Sequence, residues 1–460
     1  MCATSLSRNC SSFRRRTPFL FAVIVAGLLL NQAMAQFPRP RALFAENQPV
    51  SFSERIRSSQ FVAIAECIAT TRETETHPAG FTTVQIRRVF RGSEILETDQ
   101  IVKLDIVYSG RAGQTILVLG QKLDEEGSPF EYIIIENPLP WRLGYVSKLT
   151  EMEADSTLRL SYFLPYLEST DKLADHDAYL EFASATYAEL VKLHPEFPNN
   201  KLRQWIRNVD TKPERVQLYG LMLGMSGRLV DAKLLDDLIM NALRIDALKS
   251  QWARRDDIVA VFEIGDGDLE AISIDGLPVT DDDQLNRNVD HQIENTVNPK
   301  IKLQEGLIVG YILSRGVRAL DRLDEQFVQA PDVGYDKRQL ALSALSCVWI
   351  NSKDRFARER LLKTIHGFLN HPETADTAIS ILSQSQDWSV QDRLIGMLDQ
   401  PAFNGPDMRA AIATYLIASA KRNEKVSTPT AADIAEARKA KVSLERLRRL
   451  NAQSVTDIEE

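Results

Sequence analysis

The chain lacks most of the motifs that carry chemistry in a sequence. There is no Gly-x-Ser-x-Gly and no phosphate-cradling Gly-x-x-x-x-Gly-Lys-Ser/Thr. Of four cysteines only Cys67 and Cys347 lie beyond residue 35, and neither has a histidine beside it. So few thiols exclude a disulfide-stapled scaffold; one bridge could link the two halves of the chain, but the apolar settings of both favour two unpaired core residues. Six histidines occur, none paired at the i, i+4 spacing of a helical metal site; His366 and His371 stand five apart, ahead of Pro372. No apolar run approaches the roughly 20 residues that span a bilayer. An excess of basic charge is also lacking: 55 Lys and Arg against 63 Asp and Glu give a net charge of −8, which argues against nucleic acid as a partner.

What is present begins at the N-terminus. Arg14-Arg15-Arg16 precedes an apolar block of twelve residues, Phe19 to Leu30, and then Ala33-Met34-Ala35. This order predicts a signal peptide over 1–35, cut between Ala35 and Gln36, and export to the periplasm or beyond the cell. Arg15-Arg16 also admits twin-arginine export, although Pro18 sets the following aromatic one place late. Without the leader and its four arginines, the net charge is −12 over 425 residues, enough chain for two or three domains.

Residues 36–54, with Pro38, Pro40 and Pro49, are expected to be an extended lead-in. From Phe61 the pattern turns to period two. Strands are predicted at Phe61–Ala65, Phe81–Phe90, Ile101–Tyr108, Thr115–Leu119 and Tyr132–Ile135, making a small barrel or sandwich over 55–150 with one wet face. Beyond Thr150 the period becomes 3.6. Helices are expected in series from Ser156 to Ala420, including Asp171–Phe182, Tyr187–Leu193, Arg215–Met225, Asp231–Leu243, Glu305–Ser314, Lys337–Ile350 and Asp407–Ala420. Short turns between them predict antiparallel neighbours and a helical domain over 155–425. A basic amphipathic helix is predicted over 430–450, with Ile434, Ala437, Ala440, Leu444 and Leu447 on one stripe. The ordinary reading is a partly frayed terminal helix with a solvated basic face; docking of that face on an anionic membrane or on the acidic segment described next is the alternative.

Residues 263–294 hold ten acids against Arg287, a net −9. Gly265-Asp266-Gly267-Asp268 and Asp281-Asp282-Asp283 offer oxygen ligands for calcium, but Ala271 and Leu277 stand where an EF-hand needs Gly and Glu. The better reading is a solvated acidic insert. His176 with Asp177 and Glu181 is the nearest approach to an acid–base cluster, on a helix where solvation or capping is the ordinary role.

Three resemblances sharpen the picture. Arg215 to Gly224 followed by Asp231 to Ile239 has the Arg, apolar stripe, turn and Asp-Ala order of a HEAT-type repeat. Arg338 to Ile350 with Arg358 to Leu369 echoes it, and Met408 to Ile417 supplies half a unit. The resemblance implies an α-solenoid that binds another macromolecule along a concave face. Val84 to Gly92 loosely resembles the second strand of OB or netrin-like barrels. The layout as a whole, with Asp177-Ala178-Tyr179-Leu180-Glu181-Phe182-Ala183 and Asp387-Trp388-Ser389, is similar to a group of exported bacterial proteins of no assigned activity. The expectation is an α+β multidomain protein: a five-stranded barrel, then a HEAT-like array, acting as an interaction module without cofactor or catalytic residue. The rivals are an exported hydrolase whose carboxylates and histidines meet only in the fold, and a weak calcium-binding structural protein.

Overall fold

A computed structural model describes residues 49–72, 80–122, 130–136, 140–152, 158–244, 303–422 and 430–450. The signal segment, the Ala35–Gln36 junction and the acidic 263–294 insert lie outside the described residues. Contacts divide the chain into two compact units, Ala42–Pro198 and a second holding the described residues from Asn199 onward. The boundary expected near 150–155 therefore moves to 198, because the first helices after the sheet pack within its unit.

The described residues of the first unit open with a helix, α1, Phe52–Ser58, which takes in the last three residues of the expected lead-in and is begun by Ser51, whose side chain accepts from the Glu54 amide. Lead-in residues 36–48 lie outside the described residues. Then come β1 (Phe61–Thr71), β2 (Phe81–Arg91), β3 (Ile101–Leu104), β4 (Thr115–Lys122) and β5 (Phe130–Glu136). All pairings are antiparallel, in the order β3-β2-β1-β4-β5. The sheet is open, which corrects the expected barrel. β3 and β5 sit at opposite edges, and β3 is only four residues long. Its predicted continuation leaves the ladder so that Tyr108 N–H can donate to Thr82 Oγ1 (2.9 Å), while that hydroxyl donates to Ile106 O (2.6 Å).

The expected wet face is also absent from the centre of the sheet. Phe61, Ala63, Ala65 and Cys67 join one core with Val84, Ile86, Ile116, Val118 and Tyr108, while Val62, Ile64, Leu117 and Leu119 on the opposite face are equally buried. β2 ends at Gly92, whose φ of +81° and approach to the Gln60 and Phe61 backbone leave no room for a side chain. Four α-helices follow among the described residues of the unit: α2 (Pro140–Glu151), α3 (Leu158–Phe163), α4 (Lys172–Ala183) and α5 (Tyr187–Leu193). α1 packs on α2, α4 and β4, and α2 on β2.

The second unit is helical throughout its described residues. It runs α6 (Asn199–Arg207), α7 (Pro213–Ser226), α8 (229–244), α9 (Glu305–Arg315), α10 (Val317–Leu323), α11 (Tyr335–Ser352), α12 (Arg358–Phe368), α13 (Pro372–Gln384), α14 (Gln391–Met397), α15 (Pro406–Lys421) and α16 (Ala431–Leu450). Each of α7, α9, α11, α13 and α15 packs on the next in that order, and α16 packs on α15; α10 packs on α12. Local chemistry explains the ends. α7 starts with Pro213 and Glu214, and stops at Gly227 in the left-handed conformation. α10 runs on into a π-helical turn, Asp324–Gln329, and the buried Arg338 closes it by donating to Phe327 O (3.1 Å) and Ala330 O (2.8 Å).

Where α7 crosses α9, two pairs of glycines meet. A Cβ on Gly224 would lie 2.1 Å from Gly310 Cα, and one on Gly306 2.1 Å from Gln217 O. Backbone touches backbone, which any side chain would prevent.

Candidate functional site

α4 carries the residues singled out for acid–base chemistry, and the structure parts them. Asp177 and Glu181, four apart, share one face and are buried. His176 is exposed and takes no part. α4 is held in place by Asp171, whose carboxylate accepts from the Leu173 and Ala174 amides and pairs with Arg142 at 2.9 Å.

What meets the two acids is α1. Asp177 Oδ1 accepts from the Ser53 amide (2.9 Å), and its Oδ2 accepts from Tyr145 Oη (2.6 Å). Glu181 Oε1 accepts from Ser53 Oγ (2.5 Å), Ser51 Oγ (2.9 Å) and Arg57 Nη2 (2.8 Å). Its Oε2 accepts from Arg159 Nη1, and Arg159 Nη2 reaches Glu189 Oε1 at 3.0 Å. Tyr145 stacks among Phe52, Tyr162, Phe163 and Tyr166, so the polar network is roofed with aromatic rings.

The electrostatics separate the two carboxyl groups. Burial raises Asp177, against the Tyr145 and Ser53 hydrogen bonds, and the neighbouring Glu181 charge raises it further. Burial works the same way on Glu181, but Arg159 and Arg57 outweigh it and bring its pKa down. Proton counting agrees. Ser53 Oγ has one proton and lies 2.5 Å from Glu181 Oε1 and 3.0 Å from Asp177 Oδ1. If that proton goes to Glu181, the second contact closes only when Asp177 is protonated and donates to Ser53. The core then balances two guanidinium groups, Arg57 and Arg159, against the carboxylates of Glu181 and Glu189. The arrangement clamps α1 to α4: with Ser53 fully buried and both acids engaged, it fixes structure and presents no group to a substrate.

Elsewhere the candidates are scattered. His366 Nε2 meets Asp387 Oδ2 at 2.6 Å, and His371 Nε2 donates to Val328 O at 2.8 Å, so the two rings serve different elements. The His366 contact, over the opposing effect of burial, lowers the Asp387 pKa. Cys67 and Cys347 are both buried and unpaired. Among the described residues no group of three or more His, Cys, Asp or Glu is placed to hold a metal ion. The stretch read as a calcium-binding alternative, 263–294, lies outside those residues.

The accessible chemistry is along α16. Ala437, Ala440, Leu444 and Leu447 are buried as the stripe predicts, whereas Ile434 at its first turn is 54% exposed. On one flank Lys439 reaches Asp392 (2.5 Å) and Arg446 reaches Asp399 (3.1 Å). On the other flank α16 and α15 enclose a groove of about 440 Å³ with Ile417, Ala420, Val442 and Leu444 on its apolar walls. Lys421, Arg438 and Lys441 stand around it with no ion pair among the described residues, and Arg448 beside it pairs with Glu445. The sequence showed the basic helix but not this groove, since its other wall comes from α15. No helix among the described residues is long and apolar enough to cross a membrane. Comparison finds no matching protein-family model, curated protein or solved structure.

Proposed function

We propose that this is an exported interaction protein whose second unit is an α-solenoid of HEAT type that binds another protein. The observation that carries the reading is the ordered packing of alternate helices, α7 on α9, α9 on α11, α11 on α13 and α13 on α15. Helices stacked this way bury one continuous core and leave long faces open, the geometry repeat arrays use for partners. Further support comes from the arginines that carry the repeat resemblance: Arg215 and Arg338 are both buried, and Arg338 also pairs with Glu373 on α13 at 2.9 Å. Export rests on the order of arginines, apolar block and Ala33-Met34-Ala35.

The test is affinity capture with the full chain beginning at Gln36, followed by hydrogen-exchange mapping of whatever partner is retained. Protection along α7–α15 is expected. Absence of a reproducible partner, or protection confined to residues 42–198, overturns the reading.

A further inference from the structure

We propose that the groove between α15 and α16 receives an acidic, amphipathic helical segment of a partner protein. The inference deepens the interaction reading above and rests on it. Three observations converge. The first is charge: residues 421–450 carry nine basic and four acidic side chains in a chain whose net charge is −8. The second is how those charges are used. Lys439 and Arg446 pair with acids on one flank, while Lys421, Arg438 and Lys441 border the groove with no ion pair among the described residues. The third is shape. The apolar floor of Ile417 and Ala420 lies between two helices, with the 66% exposed Val442 at its rim, and is framed by those cations.

A helix with leucines at i, i+3, i+4 and i+7 and glutamates on its flanks matches this surface, in the helix-in-groove mode of recognition. A bilayer matches it poorly. Membrane-surface helices bury their own apolar stripe in lipid, and the stripe of α16 (Ala437, Ala440, Leu444, Leu447) is already covered by protein.

The experiment uses the full chain from Gln36 and a fluorescein-labelled synthetic helix of Leu, Ala and Glu, read by anisotropy. Binding is expected to saturate and to weaken steeply with added salt. The paired variant Arg438→Glu/Lys441→Glu should lose about tenfold or more, because it reverses charges that steer and hold the peptide. Val442→Asp, which touches the apolar wall without removing a cation, should weaken binding as well. All three side chains are exposed, so folding is preserved, as far-ultraviolet circular dichroism will check. Equal binding of a peptide with Lys in place of Glu overturns the proposal. So does unchanged affinity in both variants, or binding to phosphatidylglycerol vesicles or DNA in preference to the acidic helix. If a captured partner stays bound to the double variant and maps to α7–α13, the groove assignment falls while the interaction reading stands.

Discussion

At the scale of single residues, the clearest consequence concerns two acids one helical turn apart. If Asp177 is protonated and Glu181 ionised, their amides are unequal replacements. Asp177→Asn keeps an acceptor for Tyr145 Oη and a donor toward Ser53 Oγ but loses the acceptor for the Ser53 amide, and is expected to cost about 1–3 kcal/mol of unfolding free energy. Glu181→Gln strips the charge from between Arg57 and Arg159, and is expected to cost about 3–5 kcal/mol. Urea unfolding of the two variants checks this; equal losses would refute the protonation assignment. The pH dependence follows from the same directions. Asp177 is raised above its ordinary value of 3.8, so its stabilisation is complete below that value and is lost as pH rises. Wild type should therefore lose stability relative to Asp177→Asn as pH rises above 3.8. Glu181 and Asp387 are lowered, so their contributions are present above 4.5 and 3.8 and vanish as pH falls below those values. Urea midpoints across an acid titration separate the opposing trends.

At the scale of elements, the glycine crossing of α7 and α9 sets the sharpest expectation. Gly224→Ala or Gly310→Ala would drive a methyl group into backbone, since the nearest atoms are 2.1 Å from the new Cβ in each case. Each is expected to destabilise by about 1–3 kcal/mol or more, with the two effects non-additive because the positions touch. Gly396 in α14 is the control: nothing lies within 4 Å of its Cβ position, so Gly396→Ala should stabilise by about 0.5–1 kcal/mol. Thermal melts of the three variants suffice. The crossing also shows what periodicity misses. Gly220, Gly224, Gly306 and Gly310 read as ordinary small residues until the two helices are set side by side, and 245–302 intervene between their segments.

At the scale of the whole molecule, the described residues of each compact unit hold one thiol, buried and unpaired. The chain beginning at Gln36, denatured without reductant, should titrate two thiols with Ellman's reagent, and the same chain in its native state essentially none. A single disulfide would bring the denatured count to zero as well. The chain's charge is unevenly spread as well, with −9 in residues 263–294 and the basic excess in 421–450. Export predicts Gln36 as the first residue of secreted material, which N-terminal sequencing reads directly.

Much of this architecture was legible in the residues because its causes are local. Tyr187–Leu193 is a helix where its period and the Thr186/Glu189 capping box require one. Five strands form where apolar and polar residues alternate or where short β-branched-rich runs are bounded by turn residues, and α16 buries four of the five positions on its stripe. α1 escaped notice because seven residues are too few for a 3.6 period to register; Ser51-x-x-Glu54, a capping pattern, was its one signal. What only the tertiary structure decided are pairings between distant segments. Ser53 meets Asp177 124 residues away, β3 and β5 fall at opposite edges and leave the sheet open, and α15 supplies the second wall of the groove. Local propensity acts within a few residues and is written in the sequence, whereas which buried faces meet depends on the free energy of the whole packed core.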